Sequence, residues 1–215
     1  MSGLNAISLF SGAGGLDVGF ESAGFHTVFA NEFDHDAAEA WRINRPASSH
    51  VMVEGDINHH INELSAFSGT DIIFGGPPCQ GFSVAGKMDP NDTRSKLVWK
   101  FMEAVEIVRP KIFVMENVAA LGLLAKWEQV RRGILFKGKD LGYDVTFKVH
   151  HTPDYGVPEN RDRVIFLGVR SDVGSIARFY DRLAQHKEAP VTAREVILRG
   201  IRTGCNSSPN RRMPR

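Results

Sequence analysis

Short apolar runs alternate with longer amphipathic stretches along most of this chain. Residues 34–43 repeat apolar positions at helical spacing after Asp34, a suitable N-cap, and residues 96–108 do so again before Pro110. A further helix is predicted from residue 16, after a glycine-rich turn. The runs between the helices have the length and the Ile, Val and Phe content of buried strands. The predicted strands are residues 7–10, 27–30, 51–53, 71–74 and 111–115.

Two later strands are predicted at residues 143–149 and 163–169. The loop between them is too short for a crossover helix, so we expect them to pair antiparallel. A helix is predicted ahead of them, although Gly133 and Gly138 should weaken its second half. Strands that alternate with helices build an α/β fold. We therefore predict a doubly wound, mostly parallel sheet with an antiparallel edge strand.

The composition agrees with a globular protein that stays in the cytoplasm. Of 215 residues, 42% are hydrophobic and 24% are charged, and no apolar run approaches the length of a membrane span. The two cysteines, Cys79 and Cys205, are far apart in the chain, which argues against a disulfide framework and for a reducing compartment. No spacing typical of a metal site is present.

Charge is uneven at the end of the chain, although the net charge is only +1. Residues 191–215 hold six arginines and a single acid, Glu195. Such a tail can bind nucleic acid, or it can be a solvated terminus, and the sequence leaves both open. We predict one catalytic domain over residues 1–190 and a basic, poorly ordered tail over residues 191–215.

Cys79 is the candidate nucleophile. It lies in residues 75–83, Gly-Gly-Pro-Pro-Cys-Gln-Gly-Phe-Ser, directly after the predicted strand 71–74. The glycines and prolines end the strand and fix the turn. The cysteine is therefore placed at the carboxyl end of a strand, where open α/β sheets bind their ligands.

Three earlier strand ends carry residues suited to a nucleoside. The glycine-rich turn at residues 10–17 allows a ligand to approach the backbone, and Glu32 follows at the spacing at which such folds bind ribose hydroxyls. Phe33 could stack on adenine, and Asp56 could accept a hydrogen bond from an exocyclic amine. Each acid alone could equally be a helix cap. Together they favour nucleoside binding.

Further charged residues lie after the fifth predicted strand and at the start of the last one. Glu116, after strand 111–115, could act as a general acid or could be a helix cap. Arg161 and Arg163 could bind a phosphate or a base carbonyl, or they could form ion pairs with Glu159 and Asp162.

In this order the segments resemble the motifs of the DNA cytosine C5-methyltransferase family. The resemblance runs from about residue 6 to residue 168, and Pro-Pro-Cys-Gln followed by Glu-Asn-Val is its most specific part. It implies a Rossmann-like methyltransferase domain that uses S-adenosylmethionine. The motifs fall at residues 10–15, 31–34, 55–57, 77–83, 116–118 and 160–163.

The resemblance also assigns roles to residues. Cys79 is expected to add to carbon 6 of a cytosine that has flipped out of double-stranded DNA, Glu116 to bind nitrogen 3, and Arg163 to contact the base carbonyl. The expected DNA contacts are Gln80, Ser83 and Arg161. The expected cofactor contacts are Phe10, Gly12, Gly14, Glu32, Phe33, Asp56, Ile57 and Pro78.

Two departures from the family pattern limit what the chain is expected to do alone. Glu159 stands where the family often has glutamine. The family also continues into a target-recognition domain and a final helix, and we expect both to be absent from this chain. We therefore expect the catalytic part of an enzyme from a bacterial restriction-modification system, completed by a second subunit or truncated. The alternatives are a cofactor-binding module without activity and an RNA cytosine-5 methyltransferase.

Overall fold

Seven strands form one sheet in the part of the chain that the structure describes. The computed structural model describes residues 3–78 and 96–202, the last four of these for their backbone alone. The strand order is β3-β2-β1-β4-β5-β7-β6. The strands are β1 (Leu4–Leu9), β2 (Phe25–Glu32), β3 (Met52–Glu54), β4 (Ile72–Gly75), β5 (Ile112–Val118), β6 (Tyr143–His151) and β7 (Asp162–Arg170).

The sheet is mostly parallel, as the sequence predicts. β1 to β5 pair with one another in parallel, whereas β7 is antiparallel to both β5 and β6. Antiparallel pairing at one edge is therefore confirmed. The strand that runs against the others is β7, which lies next to the edge strand β6, because the β6–β7 hairpin joins the sheet through its second strand.

Helices cover both faces of the sheet, which confirms the doubly wound arrangement. The largest apolar cluster lies on the face covered by α4 and α6, and smaller clusters join α1, α2 and α7 to the other face. No helix among the described residues is long and apolar enough to cross a membrane. The helices are α1 (Gly15–Ser22), α2 (His35–Asn44), α3 (Ile57–His60), α4 (Lys96–Val108), α5 (Ala119–Leu123), α6 (Glu128–Asp140), α7 (Ile176–Ala184) and α8 (Ala193–Arg202).

Helix α6 continues through both glycines that were expected to weaken it, so that expectation is wrong. A Cβ atom at Gly133 would lie 2.6 Å from the ring of Trp99, and one at Gly138 would lie 2.6 Å from Val145. The glycines let α6 pack closely on α4 and on the sheet. Tertiary packing here outweighs the low helix propensity of glycine.

Helix α8 lies within the segment that was predicted to be poorly ordered. Thr192 and Glu195 form a capping box at its start: the Glu195 N–H donates to Thr192 Oγ1 (3.2 Å), and the Thr192 N–H donates to Glu195 Oε2 (2.7 Å). This Thr-x-x-Glu signature is visible in the sequence and marks a helix start. Residues 203–215 lie outside the described residues, and the domain boundary at residue 190 stays a prediction.

Candidate active site

A cavity of about 560 Å³ opens at the carboxyl ends of β1 to β4. Parallel α/β sheets bind ligands at this edge because the loops that follow the strands converge there. The volume suits a small organic ligand. Six of the predicted cofactor residues line the cavity: Phe10, Glu32, Phe33, Asp56, Ile57 and Pro78.

The turn after β1 takes left-handed backbone conformations at three positions. Phe10 and Gly12 both have φ of 55°, and Gly14 has φ of 88°. This conformation is unusual for a residue with a side chain, so the backbone at Phe10 is strained beside the cavity. Gly12 and Gly14, both predicted cofactor contacts, are not among the described residues that line the cavity.

Glu32 joins the glycine-rich turn to the loop after β2. Its Oε2 atom accepts the N–H of Gly12 (2.7 Å), and its Oε1 atom accepts the N–H groups of Phe33 and Asp34 (both 2.9 Å). A carboxylate held by three backbone donors has little rotational freedom. Glu32 therefore has a fixed orientation at the wall of the cavity.

The other predicted adenine contacts lie at the ends of β2 and β3. The side chain of Phe33 is 75% exposed, which leaves its ring face available to a planar ligand. Asp56 caps α3, because its Oδ1 atom accepts the N–H of Asn58 (2.9 Å). The structure thus gives Asp56 the cap role that the sequence left open, while also placing it on the cavity wall.

Several residues that line the cavity were not predicted. Lys96 and Lys100 lie one turn apart on α4 and bring positive charge to a cavity that two acids also line. Two lysines four residues apart at the start of a predicted helix could have indicated a basic surface. The sequence does not show which loop that helix faces. Asn31, another lining residue, donates to the carbonyls of Val53 and Gly55 and so ties β2 to β3.

Glu116 and Arg163 form an ion pair beside this cavity. Arg163 Nε lies 2.6 Å from Glu116 Oε1, and both side chains are about three-quarters buried. Since Val118 of β5 pairs with Arg163 of β7, the two charged side chains lie on the same face of the sheet. Burial raises the pKa of the Glu116 carboxyl, and the positive charges of Arg163 and Arg161 oppose this shift. The carboxyl is therefore easier to protonate than an ordinary glutamate.

The turn that leads to Cys79 lies between the ion pair and the cavity. Asn117 is buried and donates from Nδ2 to the carbonyl of Pro77 (3.0 Å), which fixes the turn to β5. A Cβ atom at Gly76 would lie 2.9 Å from Glu116 Oε2. Gly76 and Pro78 both line the cavity. Cys79 itself, with Gln80 and Ser83, lies outside the described residues.

The two arginines of the motif at residues 160–163 have different partners. Arg161 is exposed and contacts Glu159 at 3.4 Å, the ion pair that the sequence offered as its alternative. Arg163 pairs with Glu116 instead of the Asp162 carboxylate, which binds His151 at 2.7 Å. Sequence reasoning missed the Glu116–Arg163 pair because it depends on the register between β5 and β7.

Known Type II methyltransferases are similar to this chain in sequence. The Type II methyltransferase M1.HphI of Haemophilus parahaemolyticus is 39% identical over 184 residues, 80% of this chain and 47% of that protein. M.NgoPII of Neisseria gonorrhoeae is 36% identical over 208 residues, 96% of this chain and 60% of that protein. M.AquIA of Picosynechococcus is 39% identical over 178 residues, 76% of this chain and 71% of that protein. The matched part of the chain spans 47% to 71% of the length of these three relatives.

Solved structures and a family model also match this chain. A DNA modification methyltransferase encoded within an E. coli prophage superposes with a TM-score of 0.71 at 32% identity, covering 88% of this chain and 53% of that one. The S. pombe Dnmt2 methyltransferase, at 19% identity and a TM-score of 0.64 over 87% of this chain and 57% of that one, shows the same fold. The model of the C-5 cytosine-specific DNA methylases matches residues 4–203, and this chain belongs to that family.

Proposed function

We propose that this chain methylates carbon 5 of cytosine in DNA, with S-adenosylmethionine as the methyl donor and Cys79 as the nucleophile. The observation that carries the proposal is the position of the Glu116–Arg163 pair beside the cavity, with the turn to Cys79 between them. A base bound by the pair would lie next to a ligand in the cavity. This is the arrangement that a transfer between the two requires.

The cavity fits S-adenosylmethionine by the chemistry of its walls. Glu32 offers a carboxylate suited to the ribose diol, and Phe33 and Ile57 offer an aromatic and an apolar surface for adenine. Asp56 can accept a hydrogen bond from the adenine amine. When bound, the cofactor supplies an electrophilic methyl group.

In the proposed reaction, Cys79, Glu116 and Arg163 act on the cytosine ring. The Cys79 thiolate would form a bond to carbon 6, while Glu116 donates a proton or hydrogen bond to nitrogen 3. Carbon 5 would then bond to the methyl group as the bond from that methyl to the sulfonium sulfur breaks, and S-adenosylhomocysteine would leave. Burial of Glu116 favours the protonated form that this step needs. Arg163, positively charged, would oppose negative charge on the base carbonyl. Loss of the carbon 5 proton then lets the carbon–sulfur bond break and returns the thiolate.

We propose further that target recognition comes from sequence beyond the matched region, in the same polypeptide or in a second one. The alignment with M1.HphI covers 47% of that relative, whereas an alignment of similar length covers 71% of M.AquIA. Relatives of this family therefore differ widely in how much chain accompanies the matched region. Arg161, exposed at the edge of the site, would contact DNA together with Gln80 and Ser83. Because a base stacked inside a duplex is out of reach of these groups, the cytosine would have to flip out.

The test is covalent trapping. Double-stranded DNA in which every cytosine is 5-fluorocytosine would be incubated with the protein and S-adenosylmethionine, then analysed on a denaturing gel. Fluorine at carbon 5 cannot leave as a proton does, so the wild type should remain attached and Cys79→Ser should not. An adduct with the Cys79→Ser variant would overturn the nucleophile. Cofactor binding without any adduct would favour a binding module, and an adduct with RNA alone would favour an RNA enzyme.

A further inference from the structure

A buried polar network lies behind the glycine-rich turn, on the side away from the cavity. It joins α1, α2 and β1 around Arg45, a residue that is 8% exposed and follows the last residue of α2. Buried arginines are uncommon and need partners for their donors. The partners of Arg45 connect this network to the turn.

Arg45 holds the carbonyl group of Gly14 from behind. Its Nη2 atom donates to the Gly14 oxygen (3.0 Å), and its Nε atom lies 2.6 Å from Glu21 Oε1. The same Gly14 oxygen accepts the N–H of Val18 and so begins α1. Arg45 therefore fixes the point at which the turn becomes a helix.

The contact with Arg45 leaves no room for a side chain at Gly14. With φ of 88°, its backbone is in the left-handed region, and a Cβ atom there would overlap the Arg45 guanidinium. Gly14 does not line the cavity, so contact with a ligand there does not explain why this position is a glycine. The contact with Arg45 explains it.

Two further groups hold Arg45 in place. The Trp41 ring lies under its guanidinium, 4.8 Å from ring centroid to carbon, and Trp41 Nε1 donates to Asp17 (3.0 Å). Asp17 is fully buried and also accepts from Ser8 Oγ (3.0 Å). The network is therefore satisfied on each side of the arginine.

The turn is thus held at both ends. Glu32 holds the N–H of Gly12 on the cavity side, and Arg45 holds the carbonyl of Gly14 on the far side. Helix α2 connects these two supports, since it begins just after Phe33, which lines the cavity, and ends just before Arg45. A shift of Arg45 would move the turn relative to Glu32.

We propose that Arg45 is a positioning residue for the cofactor: it fixes the glycine-rich turn at Gly14 and thereby sets the shape of the cavity wall at Phe10. The inference rests on the proposed function, because it takes S-adenosylmethionine as the ligand. It predicts that affinity for the cofactor depends on a side chain that does not touch it.

Isothermal titration of the full chain with S-adenosylhomocysteine tests this, together with thermal unfolding. Arg45→Met loses a charge-assisted hydrogen bond to the turn, so the dissociation constant should rise roughly tenfold or more at a temperature where the variant is folded. Arg45→Lys keeps the charge but cannot make the Gly14 and Glu21 contacts together, so its dissociation constant should rise about fivefold, less than that of Arg45→Met. Glu21→Gln leaves the Gly14 contact intact and should change the dissociation constant less than about threefold.

Arg131→Met is the matched control. Arg131 also donates to two carbonyl groups, those of Leu121 and Leu124 (2.9 and 2.8 Å), but it does not line the cavity. Its replacement should lower the unfolding temperature without changing affinity.

The outcomes separate this inference from the proposed function. If the wild type binds and Arg45→Met binds equally well, the positioning role is overturned and the proposed function stands. If the wild type does not bind S-adenosylhomocysteine, both are overturned. If Arg45→Met does not fold, Arg45→Lys decides: the proposal requires a dissociation constant above that of the wild type, and an unchanged value overturns it.

Discussion

Two glutamates at strand ends of the same sheet edge are held in opposite ways. In the half of the sheet formed by β1 to β4, which we call the cofactor half, Glu32 accepts three backbone N–H groups. In the half formed by β5 to β7, the catalytic half, Glu116 is mostly buried and its side chain pairs with one arginine. Local backbone fixes the first carboxylate, whereas strand register fixes the second. The proposed binding wall and the proposed proton donor are thus made from the same residue type.

The largest effect is expected where the two halves join. Gly75 of β4 pairs with β1 on one side and β5 on the other, and a Cβ atom there would overlap the Leu9 carbonyl. Gly75→Ala should force the strands apart and lower the free energy of unfolding by roughly 3 kcal/mol. Urea unfolding measures this. Gly19→Ala, in α1 with open space around it, is the control and should not destabilise; equal stability of both variants would contradict the close approach.

Removing Arg163 from the catalytic half should make the stability of the protein depend more strongly on pH. Arg163→Met leaves Glu116 mostly buried without its partner, at a cost of about 2 kcal/mol near pH 8. Because the pKa of Glu116 is raised in the folded state, its contribution to stability is lost as pH rises through that pKa, and loss of Arg163 moves the pKa higher still. The difference in the free energy of unfolding between Arg163→Met and the wild type should therefore be smaller at pH 5 than at pH 8, as measured by urea unfolding.

The double variant Glu116→Gln with Arg163→Met checks the cause. With no carboxyl to ionise, the additional pH dependence should vanish in urea unfolding at the two pH values. If it persists, another group is responsible and the comparison with Glu32 loses its electrostatic basis.

In the cofactor half, Glu32→Gln should have a smaller effect on folding and a clear one on binding. An amide presents an N–H group to one of the three backbone donors, which costs about 1 kcal/mol of stability. Affinity for S-adenosylhomocysteine should fall about tenfold. Glu54→Gln, at the end of the next strand and outside the cavity lining, is the matched control and should bind normally.

The smallest effect on stability is expected at Phe33. Its side chain is 75% exposed, so Phe33→Ala should change the free energy of unfolding by less than about 0.5 kcal/mol. If the ring stacks on adenine, the dissociation constant for S-adenosylhomocysteine should still rise about tenfold. Phe136→Ala, 74% exposed on α6, should change neither quantity. Unchanged binding by Phe33→Ala would remove stacking from the proposed site.

The cofactor half was largely readable from the sequence because its signals are local. Asp34 accepts the N–H of Ala37 as the predicted cap of α2, and six of the eight predicted cofactor residues line one cavity. Each of these lies at a strand end, and parallel strands bring their carboxyl ends together by topology alone. The cofactor assignments themselves, like the roles of Cys79 and Arg161, stay predictions.

The catalytic half was less readable because it depends on pairing between distant strands. Glu116 and Arg163 were both candidates, but a slip of one residue between β5 and β7 would put Arg163 on the opposite face. No local pattern encodes that register. The Arg45 network was not predicted for a similar reason. In the sequence, Trp41 and Arg45 look like the end of an ordinary amphipathic helix, and only the packing of α1 against them creates the network.

The insertion of β7 between β5 and β6 has a consequence for how the protein is made. A chain leaving the ribosome presents β1 to β5 first, and every strand of the cofactor half can pair before β7 exists. Arg163 arrives only with the later hairpin. The pairing of that hairpin with β5 closes a long loop, which is a slow step in folding. The proposed site would therefore gain its arginine last, after the wall proposed to hold the methyl donor can already be in place.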